Sequence, residues 1–177
     1  MKGVILYGPP AAGKDSITAA LHEINSAYRL FPRIKVGSGR TSGYRMATTA
    51  EIEHLRERGE VVWENARYSS SYIIDRSFLI DHIGRSITVV HLGQVPAVSE
   101  VTRAVPEASW AVVYLWCPRD VAATRIRERN TDDDDERLRA WDATEPLQGA
   151  DLFIDTSIMS IQQAASLIDG FWKGTPR

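Results

Sequence analysis

Gly8-Pro9-Pro10-Ala11-Ala12-Gly13-Lys14 has the pattern G-x-x-x-x-G-K. It follows a short apolar run, Gly3 to Tyr7, and precedes a helical pattern with Ile17, Leu21 and Ile24. That is the setting in which such a segment cradles phosphate. Glycines let the chain turn tightly, so that successive N–H groups converge on phosphate oxygens. The helix that follows adds its positive end. Gly8, Pro10, Ala11, Ala12 and Gly13 are the candidate cradle, and Lys14 reaches the β- and γ-phosphates of a nucleotide. The hydroxyl that usually follows the lysine and meets Mg²⁺ is Asp15 here, with Ser16 next. Asp15 and Ser16 are the two candidate metal ligands. The competing reading of Asp15 is an acidic residue that favours the start of a helix.

A second group is basic. Arg125, Arg127, Arg129, Arg137 and Arg139 crowd around Asn130-Thr131 and the run Asp132–Asp135. Phosphoryl transfer asks mainly for positioning and for positive charge on the equatorial oxygens, and the planar fork of arginine binds phosphate in a bidentate way. Arg125 and Arg129, four residues apart, share a helix face. The alternative is a solvated pair of charged helices; downstream of a phosphate loop, an arginine-bearing lid is the better reading. Tyr44 and Tyr72 are candidates for an acceptor's phosphate or ring, or for packing with a wet hydroxyl. His91 ends an apolar strand on the side where ligands bind in open α/β sheets, and it is either an acceptor-site group or a hydrogen-bonded structural histidine.

These residues need a scaffold that brings them together. Gly3–Tyr7, Leu30–Val36, Ile87–Leu92, Trp110–Cys117 and Leu152–Asp155 read as strands, with helical patterns between them. Pro32 weakens the second strand or places it at an edge. Five apolar strands linked by helices argue a doubly wound α/β fold with a mostly parallel sheet. Residues 37–85 break the rhythm: a loop, a helix opened by the capping pattern Thr48-x-x-Glu51 and ended at Gly59, and short antiparallel strands over 61–74. One domain is expected, with a core of 1–36 and 86–177, an inserted lobe of 37–85 and a lid of 129–137.

Length and composition agree with this. The chain has 177 residues, 44% of them hydrophobic and 25% charged, as in ordinary globular domains. The formal net charge of −2 gives no general nucleic-acid or anionic-membrane footprint. One cysteine excludes an internal disulfide framework, and no apolar run approaches the roughly 20 residues of a membrane span. A cytoplasmic protein is expected.

At these residues the chain resembles the guanylate kinase family and its relatives, including the bacterial ribose 1,5-bisphosphate kinases. GPPAAGKDS looks like the family's G-P-S-G-x-G-K-S-T, and its GKDS ending is closer to the ribose bisphosphate kinase form. Gly43 to Thr48, then Ile52 and Gly59, is similar to the family's substrate segment in spacing. RIRERNTD and the later ERL look like the family's lid. The resemblance implies a P-loop nucleoside-monophosphate-kinase-like fold and transfer of the γ-phosphoryl group of Mg-ATP. Arg125, Arg129 and Arg137 would be the lid arginines on the transferring phosphates. The implied acceptor is a nucleoside monophosphate; the alternatives are a sugar phosphate and, in another class, an inactive binding module. The family's guanine-reading glutamate precedes a tryptophan, whereas here Trp63 precedes Glu64. A one-residue shift in a strand sends a side chain to the other face, unless a bulge restores it, so guanine specificity is in doubt. Arg33, Lys35 and Arg40 lie where the family pairs arginines on the acceptor phosphate. Arg33, Arg40, Tyr44, Glu64, Tyr72 and His91 are the candidate acceptor site.

Overall fold

The computed structural model describes residues 1–39, 41–67, 69–130 and 133–174. In chain order the elements are β1 (Lys2–Tyr7), α1 (Lys14–Ile24), β2 (Tyr28–Leu30), β3 (Ile34–Val36), β4 (Arg45–Met46), α2 (Thr49–Glu57), β5 (Val61–Arg67) and β6 (Ser70–Asp75). After these come α3 (Arg76–Arg85), β7 (Ile87–Leu92), α4 (Val95–Ala104), β8 (Ser109–Trp116), α5 (Arg119–Arg127), α6 (Asp134–Asp142), β9 (Leu152–Asp155) and α7 (Ile161–Gly174).

Five strands form one parallel sheet in the order β2-β7-β1-β8-β9. The strands alternate between two apolar layers. Val4 and Leu6 of β1 and Val113 and Leu115 of β8 pack with Ile17 and Leu21 of α1 and Ile168 of α7. Ile5, Tyr7 and Tyr114 face the other way, onto Leu79 and Ile83 of α3 and Val101 of α4. Burial on both faces explains why these strands read as continuous apolar runs. The doubly wound α/β fold is thus present. None of the described helices is long and apolar enough to cross a membrane.

The run Leu30–Val36 is two strands. Pro32 cannot donate to a ladder, and at that point the chain leaves the edge strand β2 and enters a second sheet. That sheet has the order β4-β3-β6-β5 and begins at Ile34, three residues before the expected lobe boundary. Its outer face (Ile34, Val36, Ile73) packs on Ile52 and Leu55 of α2, a helix opened by the expected capping box between Thr48 and Glu51. The inner face of the sheet turns toward the phosphate loop. Arg45 fastens the lobe: it is bound to Asp75, donates to the Pro32 carbonyl at 2.9 Å and lies over the Phe78 ring at 3.7 Å.

Candidate active site

The loop from Gly8 to Gly13 leaves the carboxyl end of β1, the central strand. Gly8 is required there: a Cβ would collide with the Leu115 carbonyl oxygen, and its φ is +152°. Its N–H donates to the Leu92 carbonyl at 3.1 Å, tying the loop to β7. Gly13 turns at φ +89°, and α1 starts with Lys14. The Lys14 ammonium folds back over its own loop and donates to the carbonyls of Gly8 (2.6 Å) and Pro9 (2.7 Å). Burial, together with the nearby Arg33, Arg129 and Arg67, lowers its pKa to about 7 against the opposing pull of Asp15. An anion placed in the cradle would restore the full charge.

Lys14 and Asp15 share a pocket with Arg33, Tyr44, Tyr72, His91, Arg129 and Arg137. These expected residues are therefore brought together, from the loop, the lobe and the lid. Asp15 is half exposed, with Oδ1 3.6 Å from His91 Nδ1. The other ring nitrogen, Nε2, lies 2.7 Å from Thr18 Oγ1, and that hydroxyl donates to the Lys14 carbonyl at 2.8 Å. With the hydroxyl proton so used, Nε2–H is the donor. Burial holds its pKa well below the ordinary histidine range. Thr18 gives His91 a structural hydrogen bond while the ring edge still borders the pocket.

Ser16 parts company with Asp15. It lines a neighbouring pocket with Arg125, Thr156, Met159 and Ile161. Among the described residues no group of three His, Cys, Asp or Glu side chains could hold a metal. Among the described residues that line this pocket, Asp15 alone offers a carboxylate. That suits Mg²⁺, which binds one or two carboxylates and takes its other oxygens from phosphates and water.

The three lid arginines separate in the same way. Arg125 spends its guanidinium on protein: Nη1 donates to the Ala11 carbonyl (3.1 Å) and Thr156 Oγ1 (2.9 Å), and Nη2 to the Thr156 carbonyl (2.6 Å). It staples the phosphate loop to the segment after β9 and borders a neighbouring pocket with Gly13 and Ser16. Arg129 and Arg137 do border the pocket. Arg129 comes just after α5 and is exposed, directly before Asn130, which turns the chain at φ +50°. Arg137 on α6 donates from Nε to Asp133 Oδ1 at 2.7 Å. The hairpin of α5 and α6 rests on the loop through Ala11, Cys117, Ile126 and Leu138.

Glu64 is not in the site. The β5–β6 register slips between Val61 and Trp63, and both Val62 and Trp63 face the core. This bulge sets the phase of the rest of β5: Asn65 and Arg67 point into the pocket, while Glu64 points out. There Glu64 accepts from Arg56 of α2 at 2.6 and 3.1 Å. The bulge that would have brought the glutamate inward is present, and its phase does the opposite. Arg40 lies outside the described residues. Lys35 is buried, donates to the Ser38 carbonyl at 2.5 Å and sits 5.7 Å from the Tyr44 ring centre and 5.9 Å from that of Tyr72. Arg33 lies over the same two rings at 5.9 and 5.1 Å. The tyrosines thus hold cations in place.

Three polar pocket residues escape a reading of the sequence: Asn65, Arg67 and Gln94. With its amide oxygen turned toward Arg67, Gln94 accepts from Nη2 at 3.1 Å and Nε at 3.3 Å. The strand pattern over 61–67 could have found Asn65 and Arg67, had the bulge been known. Gln94 carries no local signal.

The chain matches no protein-family model, and no curated protein is similar to it in sequence. Solved structures do match. A guanylate kinase from Anaplasma phagocytophilum superposes with a TM-score of 0.61 at 13% identity, covering 98% of this chain and 84% of that one. A shikimate kinase from Acinetobacter baumannii, in complex with shikimate, gives 0.52 at 17% identity, covering 98% and 93%. With the glycine-rich loop at the end of the central strand, these likenesses show that the chain has the P-loop kinase fold.

Proposed function

We propose that the protein is an ATP-dependent phosphotransferase that moves the γ-phosphoryl group of Mg-ATP onto a small acceptor already carrying a phosphate, of the sugar-phosphate type. The observation that carries the acceptor class is the make-up of the pocket. Arg33, Arg67, Arg129 and Arg137 converge on it, and Asp15 is its only carboxylate among the described residues. Such a surface attracts an anion on the side away from the nucleotide as well as on the nucleotide side. Apart from Asp15 beside the phosphate loop, it offers no carboxylate among the described residues to a guanine edge, and Glu64 is held by Arg56. One fold neighbour is named a guanylate kinase and another holds shikimate, so the fold leaves the acceptor to the residues.

In this reading the loop amides and Lys14 take the donor phosphates. Arg129 and Arg137 meet the phosphoryl group in transfer, and Arg125 keeps loop and nucleoside segment aligned. Mg²⁺, when bound, neutralises charge on the donor phosphates beside Asp15. The test is ADP release with Mg-ATP across sugar phosphates and nucleoside monophosphates. Acceptor-dependent release that is greatest with a sugar phosphate supports the reading, and release greatest with GMP refutes it.

A further inference from the structure

On the inner face of the lobe sheet, Asn65 of β5 stands opposite Tyr72 of β6, which stands opposite Lys35 of β3. Asn65 Oδ1 is buried and has no hydrogen-bond partner in the described structure. A buried carbonyl-type oxygen without a donor carries an uncompensated desolvation cost, which a ligand that supplies the donor would remove. Two residues further along the same face, Arg67 points into the same pocket, fixed by Gln94. Gln94 caps the start of α4, directly after β7. The Arg67–Gln94 pair therefore joins the inserted lobe to the core beside the phosphate loop.

We infer that Asn65, Arg67 and Gln94 are the acceptor-reading residues. Arg67, oriented by Gln94, binds the acceptor's own phosphate. Asn65 Oδ1 accepts a hydrogen bond from an acceptor hydroxyl next to that phosphate. The inference rests on the phosphotransferase reading and adds to it the residues that set selectivity. An acceptor lacking the hydroxyl leaves Asn65 Oδ1 unpaired in the complex. A site built around such a bond rejects analogues without it far more strongly than a loose apolar pocket does. Gln94 touches Arg67 rather than the ligand, so it is a positioning residue.

The experiment is calorimetric, on the full chain saturated with Mg²⁺ and the non-hydrolysable analogue AMP-PNP, which occupies the phosphate loop. Inorganic phosphate and ribose 5-phosphate are the two probes. Arg67→Gln should weaken both at least about 10-fold, as expected for loss of a charge-assisted bidentate contact. Gln94→Leu should weaken both by a smaller factor. Ribose 5-phosphate should bind wild type at least about 10-fold more tightly than phosphate, and Asn65→Leu should erase that margin without changing the affinity for phosphate. AMP-PNP affinity, measured for every variant, reports the fold. A margin absent from wild type, a margin surviving in Asn65→Leu, or unchanged phosphate binding in Arg67→Gln overturns the inference while the kinase reading stands. Failure of wild type to bind AMP-PNP overturns both.

Discussion

Glu64 and Asn65 are adjacent on β5 and serve opposite faces: Glu64 closes an ion pair with Arg56 on the outer face of the lobe sheet, and Asn65 opens onto the phosphate-loop pocket. The bulge at Val62 decides which of them faces the pocket. Glu64→Gln should change acceptor kcat/KM by less than about 3-fold. It should cost no more than about 1 kcal/mol in urea unfolding, the range of an exposed pair. A loss of 100-fold or more in steady-state kinetics would return Glu64 to the site.

Lys14 gives a prediction with opposite signs for activity and stability. Lys14→Met should lower kcat by about 10²-fold or more, comparable to losing a preorganised electrostatic donor. The apo protein should become more stable. In the fold the Lys14 pKa is lowered to about 7, against about 10.4 in an unfolded chain. Between those values the unfolded chain binds the extra proton, so wild-type stability rises with pH. The destabilisation by Lys14 is full below pH 7 and fades toward pH 10. Melting curves should put Lys14→Met above wild type at pH 6, by about 2–4 °C per kcal/mol relieved, with the gap narrower at pH 9 and closing toward pH 10. A mutant that melts lower at pH 6 contradicts this.

Arg125 and Arg129 should fail differently. Arg125→Ala removes three hydrogen bonds between the loop and the Thr156 segment. It should destabilise the protein by about 1–3 kcal/mol and raise KM for ATP more than it lowers kcat. Arg129→Ala should leave unfolding unchanged and lower kcat by about 10³-fold, the scale of an arginine acting on the transferring group. Kinetics and urea titrations on both variants check the contrast, and interchanged phenotypes would reverse the assignment.

Asp15 should respond to metal. At about 4 Å and an effective dielectric near 20, one carboxylate–phosphate charge pair repels by roughly 4 kcal/mol, and Mg²⁺ between them reverses the sign. Asp15→Asn should tighten ATP binding in EDTA and weaken it in excess magnesium. Titration calorimetry in both buffers measures this. Parallel shifts would make Asp15 a helix-start residue only.

Much of this was legible in the residues. The phosphate loop could be read because a glycine pattern, a lysine and two flanking elements must coincide, and the capping box at Thr48 forms as its spacing implies. The sheet could be read because strands buried on both faces are written as apolar runs. The lobe side was harder. One extra residue at Val62 reverses every side chain after it, and no residue type marks that bulge. Arg125 looked like Arg129 because charge and helix face are the same; only the position of Thr156, 31 residues away in sequence, separates their roles. Gln94 acts through a partner 27 positions earlier, a pairing that only the fold brings about.

Phosphoryl transfer from ATP to a phosphate-bearing, hydroxylated acceptor is read from kcat/KM for ADP release from Mg-ATP with ribose 5-phosphate, other sugar phosphates and the four common nucleoside monophosphates. The expected result is a sugar phosphate ahead of GMP by about 10²-fold or more, since Glu64 is held by Arg56 away from the pocket. GMP as the best acceptor, or ADP release indifferent to every acceptor, would contradict it.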